Sequence, residues 1–364
     1  MSYLPFAAGS CLIWVVFGDR WATRYRCANK VVKQKIILFA LHKLRNTVEK
    51  LVATKELGGG AENALAARRN MDLAALAVCV LFEFGALGIP GRVQMELVAS
   101  HMRVVWTMNR RREYVISGYP CEPILAVAAL YHLYEVHLAG DRYYTLSVMR
   151  DAVVDHHIDK GRKGELVARL ILILAFYKAL RLLEVQTPYP AIPSVSVRGF
   201  LSALLPKHAM DMFWATRPCR GGTPNATAAA DFKNAKIYFT HFVQYNQMPT
   251  TRHLYAAVTR GQAIQCAFQQ EDVDIVIPIV CTPEDKFSQD NMSAILIQVR
   301  NRTSAAATFP DAMRLKLFGE RLTPYISMVF QLGLEIPRGK VENLHLVYAQ
   351  LMVGLSSYST CTIT

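Results

Sequence analysis

The sequence predicts an α+β chain in which a mainly helical region, residues 1–186, precedes a mixed α/β region, residues 194–364. Three observations carry that expectation. Long segments before residue 186 repeat their apolar residues at helical spacing. Thr187-Pro188-Tyr189-Pro190-Ala191-Ile192-Pro193 then sets three prolines in seven residues, which cannot continue a helix and favour an extended connector. Beyond it stand two β-branched-rich runs bounded by turn residues, Val273 to Val280 and Ser293 to Asn301, of the kind that makes strands buried on both faces.

The first region begins with the apolar residues Leu12 to Phe17, with no positive segment ahead of them and too few residues to span a membrane. No stable membrane insertion is expected; a buried first helix, or the ragged start of a truncated gene, is the favoured reading, and a secretory leader the alternative. From Arg20 to Lys55 ten basic residues meet a single acid, Glu49, while Val32, Ile36, Phe39, Leu44 and Leu51 keep helical apolar spacing. With acids nearly absent, intrahelical pairing cannot account for the charge. A phosphate-contacting face carrying Arg26, Lys30, Lys33 and Lys35 is one reading, and a solvated helix face is the other. Gly58-Gly59-Gly60 then breaks the chain.

Five helices are expected next: Met71 to Leu87, apolar nearly all round, then Val93 to Asn109, Pro123 to Leu138, Tyr143 to His156 and Gly164 to Leu183. The second ends in Arg110-Arg111-Arg112, a charge that suits a helix C-terminus and a phosphate equally. Asp155-His156-His157-Ile158-Asp159 has metal-binding residue types, but neighbours on a helix point apart, so it reads as a polar helix end. Glu165 lies in the first turn of the last helix, where the helix dipole favours an acid. That helix, 163–183, is one the second region can recruit.

In the second region a helix is expected from about Val197 to Leu205 with Ser194 or Ser196 as N-cap, and another from Arg252 to Cys266. Ala235 to Tyr245 fits strand or helix, its aromatic residues suiting core packing better than base stacking. Arg220-Gly221-Gly222-Thr223-Pro224-Asn225 is Gly-rich without phosphate-loop spacing. The runs at 273–280 and 294–301 are expected to be adjacent and antiparallel, because the polar connection Cys281 to Met292 is too short for a crossover helix. A helix-like segment from Asp311 to Arg321 and apolar runs Tyr325 to Leu332 and His345 to Val353 complete the chain.

Composition narrows the partners. The chain has 364 residues, 52% of them apolar, with a formal charge of +13 and a pI near 9.4. Residues 1–120 hold 17 Lys and Arg against 8 Asp and Glu, which is +9 of that excess. Such a basic arm implies affinity for polyanions. Eight scattered cysteines without Cys-x-x-Cys spacing read as reduced and buried, and point to a nuclear or cytoplasmic setting, a secreted effector being the alternative.

Polarity interrupts the two core strands at Asp274, near the start of the first, and at Gln298 and Arg300, near the end of the second. Residues 298 and 300 share a face because side chains alternate along a strand. This pattern resembles the core of the PD-(D/E)xK, or restriction-endonuclease-like, superfamily, and more narrowly uncharacterised fungal proteins related to the nuclease domains of Crinkler-type effectors. The stretches Gly164 to Leu170, Thr240 to Val243 and Arg260 to Ala263 add to the likeness. The resemblance implies a restriction-endonuclease-like core, a Mg²⁺ cofactor and phosphodiester cleavage. It assigns Asp274, Gln298 and Arg300 to catalysis, and to the metal the Asp274 carboxylate, the Gln298 amide oxygen, the Val299 carbonyl and an acid on the preceding helix, Glu165. The chain departs from the family at two places, with Gln298 for the acid and Arg300 for the lysine. Arginine suits a phosphate contact but cannot cycle as a base. The expected function is therefore a nucleic-acid-binding protein with a degenerate nuclease-like core; a non-catalytic interaction protein is the alternative.

Overall fold

The computed structural model describes residues 31–32, 35, 38, 41–42, 72, 75–81, 104–108, 115–118, 123–138, 147, 163–182, 193–217, 226–267, 272–281, 288–301, 310–321, 323–332 and 351–354. The fold is α+β, with helices and one large mixed sheet. The chain divides into two compact units, one of residues 1–163 with 187–191, the other of residues 164–186 with 192–364.

In the first unit, residues 72 and 75–79 are helical and buried. The helix expected over Met71 to Leu87 is broken at Val80 and Leu81, which form a turn, with Leu81 at φ 52°, which a right-handed helix cannot continue; residues 82–87 lie outside the described residues. The expectation of a helix from Val93 to Asn109 is overturned at 104–108, the part of that span among the described residues; 93–103 and 109 lie outside them. Val104–Met108 is a strand, β1, paired antiparallel with β2, Val115–Gly118. Val104, Val105, Trp106 and Thr107 are β-branched or aromatic, and pairing with a second such run outweighed their helical spacing. Helix α1 is Pro123–Leu138, as expected. It carries His132, whose Nε2 lies 2.6 Å from Oδ1 of the buried Asp72.

The second unit is built on an eight-stranded sheet. Helix α2, Lys163–Leu182, runs into it with Leu166, Leu170, Ile173 and Phe176 all buried. After β3 (Val195–Ser196) comes α3, Val197–Leu204, capped by Ser196, whose hydroxyl accepts the Gly199 N–H at 3.0 Å. Helices α4 (Lys207–Ala215) and α5 (Ala228–Asp231) come next. The ambiguous segment 235–245 resolves into two short strands, β4 (Lys236–Ile237) and β5 (His241–Gln244). Between them Phe239 packs against Phe176 of α2 at 4.8 Å, Phe200 of α3 at 6.0 Å and Phe242 of β5 at 5.6 Å between ring centroids. All four rings are fully buried, and each contributes about 1.5–3 kcal/mol by leaving water.

The helix expected to reach Cys266 ends earlier. Helix α6 is Thr251–Arg260, closed by Gly261 in the left-handed conformation, φ 66°, which a residue without Cβ adopts at little cost. The chain then enters a strand, β6 (Gln262–Gln265), too short to announce itself by alternation.

The two expected core strands are β7 (Ile275–Val280) and β8 (Met292–Asn301), adjacent and antiparallel with Ile275 opposite Ile297 and Val280 opposite Met292. On its other edge β7 is shared, pairing with β6 at Ile275 and Val276 and with β4 at Ile279 and Val280. Ile277 and Pro278 face the gap between those partners, where a residue lacking an N–H can be accommodated. Strand β9 (Ile326–Leu332) runs parallel to β8, and β10 (Leu351–Gly354) antiparallel to β9. The segment from Asp311 to Arg321 is a chain of turns rather than the expected helix, interrupted by left-handed Lys316 and Gly319. Among the described residues no helix is long and apolar enough to cross a membrane.

Candidate functional site

Three elements of the second unit bring polar side chains to the end of the sheet where β7 begins. Asp274 immediately precedes β7. Its N–H donates to Ile297 O at 2.9 Å, and its C=O accepts the Cys266 N–H at 2.8 Å, so the backbone is tied to both neighbouring strands. The side chain continues that role: Oδ2 accepts the Val299 N–H at 2.6 Å, the carboxylate standing where a strand carbonyl would. Asp272, two residues earlier, turns the chain through a left-handed φ of 68° and pairs with Arg314 at 2.8 Å.

Strand β8 supplies the facing pair. Gln298 and Arg300 lie on one face as alternation requires, and Arg300 Nε donates to Gln298 Oε1 at 3.0 Å. The third element is α2, whose first turn holds Glu165. Its Oε2 accepts from Gln265 Nε2, at the end of β6, at 2.9 Å. Gln265 Oε1 in turn accepts from Arg169 Nη1 at 2.8 Å. Arg169 and Gln265 are each 4% exposed, whereas Glu165, Asp274, Gln298 and Arg300 are half-buried.

This packing shapes the electrostatics. Burial pushes the Asp274 carboxyl up to about 6; the Val299 N–H opposes the rise, Glu165 adds to it, and Arg300 opposes it. Burial, joined by the nearby Asp274 and Glu165, raises the Cys266 thiol to about 12. Two carboxylates from elements over one hundred residues apart therefore sense each other across one half-buried space. Among the described residues, no hydrogen bond reaches Glu165 Oε1 or Asp274 Oδ1.

Of the residues expected from sequence, Glu165, Asp274, Gln298, Val299 and Arg300 stand around this strand end. Two of them are engaged in ways the sequence does not reveal: Gln298 Oε1 is turned to Arg300, and Val299 gives its N–H to Asp274. Arg169 and Gln265 had no role in the sequence-based reading. A signal for Arg169 was present, since it is the one charge in the apolar run Leu166 to Tyr177 and stands one helical turn from Glu165. Gln265 had none. Lys35 lies in a helical stretch with its side chain exposed, while Arg26, Lys30, Lys33 and Arg110, Arg111 and Arg112 fall outside the described residues.

The donor set suits a hard cation in part. Mg²⁺ takes one or two carboxylates and completes its octahedron with water and substrate oxygens, which Glu165 and Asp274 fit. Gln298, with its oxygen on a guanidinium, does not add a third ligand in this arrangement. Among the described residues no group of three or more His, Cys, Asp or Glu side chains is placed to hold a metal ion.

Comparison with curated proteins and with solved structures finds no match. A family model described as Domain of unknown function (DUF8736) matches residues 67–316, more than half of the 364-residue chain and a span that contains Glu165, Asp274, Gln298 and Arg300, and the chain belongs to that family.

Proposed function

We propose that the protein binds nucleic acid and carries a divergent, degenerate metal-dependent nuclease-like core. The observation that supports this reading is the grouping of Glu165 from a helix, Asp274 from the start of β7 and the Gln298-Arg300 pair from β8 at one sheet end. An acid on the preceding helix and an acid on the first of two adjacent strands are the groups that a PD-(D/E)xK-like core would use. A divalent ion held by Glu165 and Asp274 would supply charge neutralisation at a phosphate and a polarised water.

The chain's own residues support binding better than cleavage. Arg300 is permanently charged and offers a guanidinium fork to a phosphate oxygen, but it cannot take a proton from water. Asp274 has a carboxyl near neutrality, yet one of its oxygens is committed to the Val299 N–H. The remaining affinity comes from the basic segment 20–55, which binds phosphates without regard to sequence.

Labelled DNA and RNA incubated with the purified chain, with and without Mg²⁺, test the reading. Salt-sensitive binding without cleavage is the expected result. Changing Arg26, Lys30, Lys33 and Lys35 to Gln should flatten the slope of log affinity against log salt by up to about 0.9 for each phosphate of duplex DNA that is no longer neutralised. Asp274→Asn should weaken divalent-ion binding and leave nucleic-acid affinity nearly unchanged. Mg²⁺-dependent cleavage abolished by Asp274→Asn would show that the core is active; failure to bind either nucleic acid at low salt would favour a non-catalytic interaction protein.

A further inference from the structure

Arg169 is a charged side chain buried to 4% exposure on a helix whose other inward residues are apolar. Burying a guanidinium is costly unless hydrogen bonds replace water. Its Nη1 is aimed at Gln265, ninety-six residues away, and Gln265 is aimed at Glu165, which lies one helical turn before Arg169. The order of atoms along this path is fixed by chemistry. A guanidinium has only donors, so it takes the amide oxygen of Gln265 and leaves the NH₂ to face outward. The NH₂ meets the Glu165 carboxylate at 2.9 Å. Reversing the amide would set donor against donor at one end and acceptor against acceptor at the other.

Gln265 is itself held on two sides. Its backbone is the last rung of β6, in register with Gln244 of β5 and with Ile275, the first residue of β7. The residue before Ile275 is Asp274. The amide thus joins the helix that carries one acid to the strand paired beside the other.

We propose that Arg169 and Gln265 are positioning residues, a buried guanidinium–amide relay that fixes the Glu165 carboxylate in place beside Asp274, with Glu165 Oε1 turned to a divalent cation. The cation rests on the proposed nuclease-like function; the relay rests on the hydrogen bonds alone. Neither Arg169 nor Gln265 touches the cation. Each acts through Glu165, as outer partners orient the carboxylates that ligate metals.

Two measurements on the full chain separate these claims. In the first, the side-chain NH₂ of Gln265 is followed by nitrogen-edited NMR, its signal identified by its loss in Gln265→Leu. The relay requires well-separated, slowly exchanging amide protons that move toward the position of a free amide in Glu165→Ala and in Arg169→Met. A Gln265 signal unmoved by Glu165→Ala overturns the relay. In the second, Mn²⁺ is titrated by electron paramagnetic resonance. Gln265→Leu should weaken Mn²⁺ about 10–100-fold. In that background Glu165→Gln should cost little more, because a released carboxylate no longer holds the ion. Losses that multiply as independent effects overturn the positioning role. A wild-type chain that takes up no Mn²⁺ removes the cation from the proposal and the metal site from the function, while the amide signals still decide the relay.

Discussion

At the first residue of β6, Gln262 stands in register with His241; at its last, Gln265 stands in register with Gln244 and Ile275. Four residues of one strand therefore separate two polar clusters. At the His241 end, Thr240 N–H donates to Gly261 O at 2.8 Å, and Thr240 Oγ1 lies 3.0 Å from His241 Nδ1. Burial and the nearby Arg260 push the imidazole down to about 3, against a Gly261 backbone bond that raises it. His241 is thus a neutral, structural histidine at ordinary pH. At the Gln265 end, burial acts on an acid and pushes Asp274 up to about 6 instead. The same desolvation disfavours charge at both ends, but it moves a base away from neutrality and an acid toward it. The second difference is access: His241 is 2% exposed, whereas Glu165, Asp274, Gln298 and Arg300 are half-buried. A closed cluster can only hold the fold, while a half-open one with two carboxylates can also meet a ligand.

The change that breaks the comparison most completely is Phe239→Ala. Phe239 packs on Phe176 of α2, the helix that carries Glu165, and on Phe242 of β5, the strand that carries His241. Removing a fully buried ring should cost about 3–5 kcal/mol. Denaturant unfolding should show a midpoint lowered accordingly, and both clusters should loosen together.

A sharper separation comes from acid. His241 binds its proton near 6.5 when unfolded and near 3 when folded, so between those values the unfolded chain holds more protons. Its contribution is present above pH 6.5 and is lost as pH falls toward 3, on the order of a few kcal/mol in total. Asp274 has the opposite sign: its carboxyl moves from 3.8 to about 6, so the folded chain holds more protons in that window, and this contribution falls as pH rises from about 4 through 6. The two slopes oppose each other in the wild type. His241→Gln should therefore leave a stability that declines with rising pH between 4 and 6, and Asp274→Asn should leave one that climbs more steeply. Parallel pH profiles for the two variants would mean that the ends do not differ as described.

Gly261→Ala should have the smallest effect. Placing a Cβ at φ 66° costs about 1 kcal/mol. That cost falls on the cap beside Thr240 and His241, so thermal unfolding should move by a few degrees while the carboxyl titration of Asp274 stays where it is.

Local chemistry made part of this legible. The β-branched runs that became β7 and β8 are dense enough in strand formers to declare themselves, and two-residue alternation alone put Gln298 and Arg300 side by side. Ser196 as N-cap and the helix beginning at Lys163 were equally readable, since capping and first-turn charge are short-range effects. Where competing partners decide, sequence misled. Val104–Met108 has helix-compatible spacing but becomes a strand because a second strand is there to pair with it. Gln262–Gln265 is four residues long and exists as a strand only between β5 and β7.

By itself, then, the sequence determined the α+β class, the two central strands, the helix that carries Glu165 and the identity of the acids at the strand start and helix start, because each arises from interactions within a few residues. The tertiary structure alone decided that Glu165 meets Gln265 across one hundred positions, that the buried Arg169 donates to that same amide, and that Asp274 is lifted toward neutrality. Those outcomes depend on desolvation and on hydrogen bonds between elements remote in the chain, and no local pattern of residue types encodes which distant groups will share one dry space.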